Sequence, residues 1–213
     1  MSSVRLNIAM SLDGFVAGPD QSVENPLGVG GMALHQWAFE LAAWRAPHDM
    51  EGGVVTESSA VIEERLAATG ATIMGRNMFG GGPGPWGDDP WNGWWGDDPP
   101  FHHPVFVLTH HARPPLECEG GTTFTFVTDG IEAALERARA AAGDRDVAVS
   151  GGAQAARQYL AADLVDRMEI DLAPVLLGAG ERLFEGLGPG RPGLAHVRTV
   201  AAPGVTHLFF DRA

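Results

Sequence analysis

Short aliphatic runs that end in a turn and hand over to a helical stripe recur along this chain, and that alternation constrains its fold more than any other feature. Residues 4–10 (VRLNIAM) are aliphatic and β-branched enough for a buried strand, closed by the turn Ser11-Leu12-Asp13-Gly14. In residues 32–45, Leu34, Trp37, Ala38, Leu41 and Trp44 recur at three- and four-residue spacing, which predicts a helix. A second helix begins near Thr56, carries Val61, Ile62, Arg65 and Leu66, and stops at Gly70, after which residues 71–74 read as a strand. Strands at 105–109, 123–127, 146–149 and 165–174 then alternate with helices at 131–142 and 153–162. Asp129 and Glu132 have the spacing of a capping box for the first of these helices. Residues 196–200 and 206–210, split by Pro203-Gly204, predict a terminal antiparallel pair. The expected class is α/β, with a mostly parallel central sheet, helices on both faces and a C-terminal hairpin, all in one domain over residues 1–213.

Composition removes whole classes of function. The 14 basic residues are all arginine, so neither a P-loop lysine nor a pyridoxal Schiff base can be built. A net charge of −13 repels phosphate backbones, and no nucleic-acid partner is expected. Cys118 is the single cysteine, which excludes an intrachain disulfide and a thiolate zinc cluster and fits a reducing cytoplasm. The N-terminal apolar stretch breaks at Asp13, too short for a signal region, and no run reaches the ~18 residues of a membrane span. A soluble, cytoplasmic protein with no membrane partner is therefore expected.

Residues 80–101 (GGGPGPWGDDPWNGWWGDDPPF) sustain neither helix nor strand. A loop of this length that carries Trp86, Trp91, Trp94 and Trp95 reads either as a lid over a substrate or as a segment docked on its own core.

Three strand ends carry residues suited to an anion. Ser150-Gly151-Gly152-Ala153-Gln154 lies between a strand and a helix N-terminus, where free N–H groups favour phosphate, although glycines there serve close packing equally well. Gly75-Arg76-Asn77 adds a guanidinium, and Leu108-Thr109-His110 a hydroxyl and an imidazole. All three sit at carboxyl ends of strands, the edge where open sheets bind ligands, and together they suggest a dinucleotide. His102, His103, His110 and His111 lack metal-ligand spacing, and no metal site is expected.

Taken in order, Ser11-Leu12-Asp13-Gly14-Phe15-Val16-Ala17-Gly18, Met74-Gly75-Arg76, residues 104–109, residues 149–153, and Pro174-Val175-Leu176-Leu177-Gly178 with Gly180, Leu183 and Phe184 resemble the dihydrofolate reductase superfamily. The resemblance is nearest to its riboflavin-biosynthesis reductase branch. It implies a three-layer dihydrofolate-reductase-like fold, NADPH as cofactor, hydride transfer to a small heterocycle or a C=N or C=O group, and a homodimer. The backbones of Ala9 and Val16 would hold the nicotinamide carboxamide, Gly75, Arg76 and Asn77 phosphates, Leu108, Thr109 and His110 the adenosine side, and Ser150, Gly151, Gly152, Ala153 and Gln154 the pyrophosphate. Folate reductases also present a carboxylate from the first helix to the pterin ring, and here Met32 to Trp37 contain none. Asp13 or His35 would then be the catalytic acid, or Asp13 would cap its own turn and His35 would lie on the surface. Trp37, Trp94 and Trp95 would face the substrate. The nearest named activity is reduction of the ribosylaminopyrimidine intermediate of riboflavin synthesis, with a silent nucleotide- or pterin-binding protein and a true dihydrofolate reductase as the other readings.

Overall fold

Val4, Leu6 and Ile8 alternate with Arg5, Asn7 and Ala9, so the first strand presents one apolar and one largely polar face. The computed structural model, which describes residues 2–82, 84–88, 90–188 and 193–213, builds its sheet around this strand. Pro83 and Asp89 of the predicted loop lie outside the described residues. The elements in order are β1 (Val4–Ser11), β2 (Phe15–Ala17), α1 (Ala42–Arg45), α2 (Glu57–Ala68), β3 (Thr69–Gly75), α3 (Arg76–Phe79), β4 (Pro104–Leu108), β5 (Leu116–Glu117), β6 (Thr123–Val127), α4 (Ile131–Ala142), β7 (Asp146–Val149), α5 (Ala153–Ala161), β8 (Arg167–Ala173), β9 (Glu181–Arg182), β10 (Leu194–Ala202) and β11 (Val205–Arg212), joined by short 3-10 turns.

The main sheet has nine strands in the order β10-β11-β8-β1-β7-β3-β4-β6-β5. From β8 to β6 every neighbouring pair is parallel, and antiparallel strands close both edges. The predicted C-terminal hairpin is β10 with β11, and it docks on β8. Phe15–Ala17 and Glu181–Arg182 form a separate two-stranded antiparallel ribbon.

One face of the sheet carries α4 and α5. Leu6, Ile8, Ile73 and Val149 meet Leu135, Ala138, Ala156 and Tyr159 there in one dry core. The opposite face is divided. Beside β3, β4 and β6, Met74, Val105, Val107, Phe124 and Phe126 form a second core with Phe79, under the Trp-rich loop. Beside β1, β8 and β11, the face is covered by α2 and is charged: Arg5, Glu169, Asp171 and His207 are all buried there.

Two local expectations fail. Residues 32–45 are not one helix: 3-10 geometry covers Gly31–Leu34, and only Ala42–Arg45 is α-helical. Leu41 is extended and bridges Val54, with Ala42 N–H donating to Val54 O and Val54 N–H to Glu40 O, and this pairing breaks the helix. The apolar stripe survives because Leu34, Ala38 and Leu41 stay buried through successive three-residue turns. The capping box is also elsewhere. Gly130 at φ 95° is the N-cap of α4, and Asp129 accepts from Arg137 instead. The reciprocal box belongs to α2, where Thr56 and Ser59 cap each other's backbone.

Candidate active site

A cleft of about 1300 Å³ opens at the carboxyl edge of the parallel strands. Its backbone frame is set where β3 and β7 end side by side: Ser150 N–H donates to Ile73 O, and Gly75 N–H to Gly151 O at 2.7 Å. A Cβ at Gly75 would stand 3.3 Å from the Ala155 Cβ, so the strand end lies tight against the first turn of α5. Gly151, at φ 112°, takes a backbone conformation that side chains rarely adopt. The N-cap of α5, Gly152, offers no side-chain cap, and the first helical bond runs from Ala156 N–H to Gly152 O. The N–H groups before it point out of the helix end, as an anion requires.

Of the residues expected at the cofactor, Ala9, Val16, Gly75, Arg76, Asn77, Leu108, Thr109, His110, Ser150, Gly151, Gly152, Ala153 and Gln154 all line this cleft. Arg76 is more constrained than an isolated surface arginine. Its Nε donates to Gly80 O at 3.0 Å, its Nη2 to Gly81 O, and its guanidinium lies 3.1 Å from the centroid of Trp86. Its Nη1 is buried with no hydrogen-bond partner among the described residues, and Arg76 lines the cleft wall. The Thr109 hydroxyl accepts from His111 N–H and so is engaged in its own turn.

His35, Trp37, Trp94 and Trp95 also line the cleft. Burial pushes the His35 imidazole below its ordinary pKa against the pull of Asp171, which favours the neutral ring. Trp37 donates its indole N–H to Leu34 O and sets its ring edge-on to His207 at 5.1 Å. Asp13 is placed differently and is not among the residues lining the cleft. Its carboxylate accepts from the Ser11 hydroxyl at 2.6 Å and from the N–H groups of Leu177 and Gly178, tying the β1–β2 turn to the loop after β8. The Ser11 bond first, then those backbone bonds, hold its pKa at about 2 against burial.

The Trp-rich loop is docked on its own core and also lines the cleft. Trp86, Trp91 and Trp94 donate their indole N–H groups to His111 O, Phe79 O and Met78 O, and Trp95 stacks on Phe124 at an interplanar angle of 13°. The loop is docked on the second core, yet Trp94 and Trp95 form part of the cleft wall. Of the four histidines near β4, His103 bonds the Thr72 hydroxyl and His102 lies 3.3 Å from Asp98. Among the described residues no three His, Cys, Asp or Glu converge as a metal would require.

What the sequence reading missed is the charged floor of the cleft. Arg65, on α2, clamps Asp171 bidentately, with Nη1 at 2.9 Å from Oδ2 and Nη2 at 2.8 Å from Oδ1, and donates Nε to Glu169 at 2.7 Å. The Asn7 amide lies against the same guanidinium, and with its oxygen turned inward, as donors on that side require, it accepts from Arg65 Nη2 at 2.9 Å. His207 Nδ1 stands 2.6 Å from Asp171 Oδ1, and its Nε2 2.8 Å from Ser58 Oγ. Burial raises the Asp171 pKa, but the Arg65 charge and the bonds from His207 and Arg65 outweigh it and hold the carboxyl at about 2. Since an ionised carboxylate only accepts, His207 Nδ1 donates to Asp171. The signal was present in the sequence: Arg5 and Asn7 alternate with apolar residues in β1, as Glu169 and Asp171 do in β8.

Comparison with known proteins agrees with this geometry. The RibD C-terminal domain family matches residues 2–206. No curated protein matches the chain significantly in sequence. Among solved structures, a protein named for riboflavin biosynthesis from Shewanella sp. PV-4 is 22% identical with a TM-score of 0.61, and 99% of each chain is covered. RibD from Acinetobacter baumannii is 18% identical with a TM-score of 0.59, covering all of this chain and 58% of that one. A diaminohydroxyphosphoribosylaminopyrimidine deaminase/5-amino-6-(5-phosphoribosylamino)uracil reductase from Thermotoga maritima is 14% identical, at a TM-score of 0.56. All of this chain is covered and 57% of that protein, so the chain spans little more than half the length of the latter two. At these identities the likeness establishes the fold.

Proposed function

Because the chain belongs to the RibD C-terminal domain family, we propose that it is an NADPH-dependent reductase acting on a small heterocycle or a C=N or C=O group, of the type that reduces 5-amino-6-(5-phosphoribosylamino)uracil. The observation that carries this reading is the single cleft in which an anion-ready helix end, the Gly75–Asn77 turn and an aromatic, partly charged floor adjoin. A reduced dinucleotide bound there supplies hydride, and the chain's residues do the rest.

The N–H groups at the start of α5 and the Arg76 Nη1 suit the phosphates, since neither has an acceptor among the described residues. Ala9 and Val16 offer backbone groups for the carboxamide between β1 and β2. Leu108, Thr109 and His110 border the adenosine side. Trp37, Trp94 and Trp95 wall the substrate end and exclude water from it, and His35, neutral in the resting cleft, stands where it can exchange a proton with a reacting heteroatom. Asp13 acts through the turn it holds. A homodimer in the cytoplasm belongs to the same reading, supported by Leu12 and Leu176, which are 57% and 74% exposed on neighbouring loops. No helix among the described residues is long and apolar enough to cross a membrane.

Titration of the protein with NADPH and NADH by calorimetry, followed by loss of dihydronicotinamide absorbance over a panel of aminopyrimidines, pterins and imines, tests the proposal. NADPH is expected to bind about tenfold more tightly, as one charge-assisted contact of ~1.5 kcal/mol provides. Absence of binding by either dinucleotide would refute the reductase.

A further inference from the structure

Asp171 is a carboxylate at the floor of the cleft, and its surroundings do more than neutralise it. In register it pairs with Ala9 across β1 and with His207 across β11. It therefore lies beside the strand end proposed for the nicotinamide, in the cleft that Trp37, Phe39 and Trp44 also line. A carboxylate has about four acceptor sites. Two on Oδ1 are taken by Arg65 Nη2 and His207 Nδ1, and one on Oδ2 by Arg65 Nη1. One site on Oδ2 is left without a donor among the described residues. Three charge-assisted bonds fix the group's orientation before any ligand arrives, so accepting a fourth costs little further ordering.

We propose that Asp171 is the specificity-determining residue of the substrate end, accepting a hydrogen bond from the N–H edge of a flat nitrogen heterocycle of the aminopyrimidine or pteridine class. Buried and anionic, it discriminates twice. A ring that presents only acceptors leaves its Oδ2 unpaired, and a ring carrying a carboxylate there meets like charge in a poorly screened site. Trp37, held by its indole bond to Leu34 O and by its edge contact with His207, gives the heterocycle a fixed face to lie on. His35 stands at the same floor, near enough to feel the Asp171 charge, so the reacting atom and the recognised edge of one ring meet different side chains. This assignment rests on the reductase reading of the cleft.

The test compares 2,4-diaminopyrimidine with 2,4-dimethoxypyrimidine, rings of similar shape that differ in having N–H donors. Binding of each to the intact NADPH-loaded protein is measured by tryptophan fluorescence and calorimetry. At least tenfold tighter binding of the diamino ring is expected, falling to less than threefold in Asp171→Asn. Equal affinity of the two rings for the unmodified protein, or a preference that survives in folded Asp171→Asn, overturns the assignment. Should that variant not fold, carboxyl-carbon NMR of the unmodified, aspartate-labelled protein decides. Asp13 and Asp171 should both give resonances that do not titrate above pH 4, and the one that persists in Asp13→Asn should shift with the diamino ring and not with the dimethoxy ring; binding without such a shift overturns the proposal. Failure of NADPH to bind at the outset sinks the reductase reading instead, so the two failures are distinguishable.

Discussion

Arg65 is the side chain on which the charged floor depends, since it alone bonds both Glu169 and Asp171 from α2. Removing it leaves buried Glu169 with Arg5 at 3.7 Å and buried Asp171 with His207 as their remaining partners, too few to offset two desolvated carboxylates. Arg65→Ala is expected to cost about 3–5 kcal/mol in denaturant unfolding, far more than loss of an exposed pair such as Arg137–Asp129. His103 sets the response to acid. Burial first, then Arg145 and His102, push its pKa from 6.5 to about 4. Between those values the unfolded chain binds a proton that the folded chain refuses, so stability falls as pH drops from 6.5 towards 4. His103→Gln should flatten that part of a plot of melting temperature against pH. Asp171 works lower: its carboxyl is held at about 2 in the fold, so its contribution is present above pH 3.8 and is lost as pH falls towards 2. None of these shifts is legible in composition, because each follows from which charges the sheet brings face to face.

At the scale of elements, the cap of α2 and the docking of the Trp-rich loop matter most. Thr56→Ala removes one half of a reciprocal cap and should lower stability by about 1 kcal/mol, read by thermal unfolding, while leaving the α2 charges in place. The loop is held by indole bonds to backbone and by Trp86, which has Arg76 at 3.1 Å and Arg113 at 4.8 Å from its ring centroid. Trp86→Ala is expected to cost about 2 kcal/mol, less than truncation of a fully buried tryptophan, and to weaken NADPH binding by freeing Arg76. Unchanged dinucleotide affinity in that variant would separate the loop from the phosphate site. The Gly and Pro content of residues 80–101 announced a loop, but not that its indoles would find Met78, Phe79 and His111 carbonyls. The same limit explains residues 32–45: of the stripe read from their periodicity Leu34, Ala38 and Leu41 are buried and Trp37 and Trp44 half-buried, while the pairing of Leu41 with Val54, outside the segment, chose the backbone.

For the whole molecule, the proposed dimer has a direct measure: light scattering should give the mass of two 22.5 kDa chains. Leu176→Asp should reduce it to one, since a charge in an apolar contact between copies carries a desolvation cost. Phe209 of the C-terminal strand is buried within its own chain, whereas Leu12 and Leu176 are exposed. The alternation of the main strands with α2, α4 and α5, the mostly parallel sheet with its C-terminal hairpin and the ordered blocks at its carboxyl edge were determined by the sequence alone, whereas β2, β5, β9 and α3 were not foreseen in it. Local periodicity and glycine at strand ends are properties of neighbouring residues, and the family resemblance is built from them. Tertiary structure decided the rest. Asp13 and Asp171 are both acidic residues on or beside a central strand, and only the register of β1, β8 and β11, with α2 laid across them, turns one into a turn clamp and the other into the floor of the cleft. Charges separated by more than a hundred residues become a site only when folding removes the water between them, so no pattern along the chain encodes their meeting.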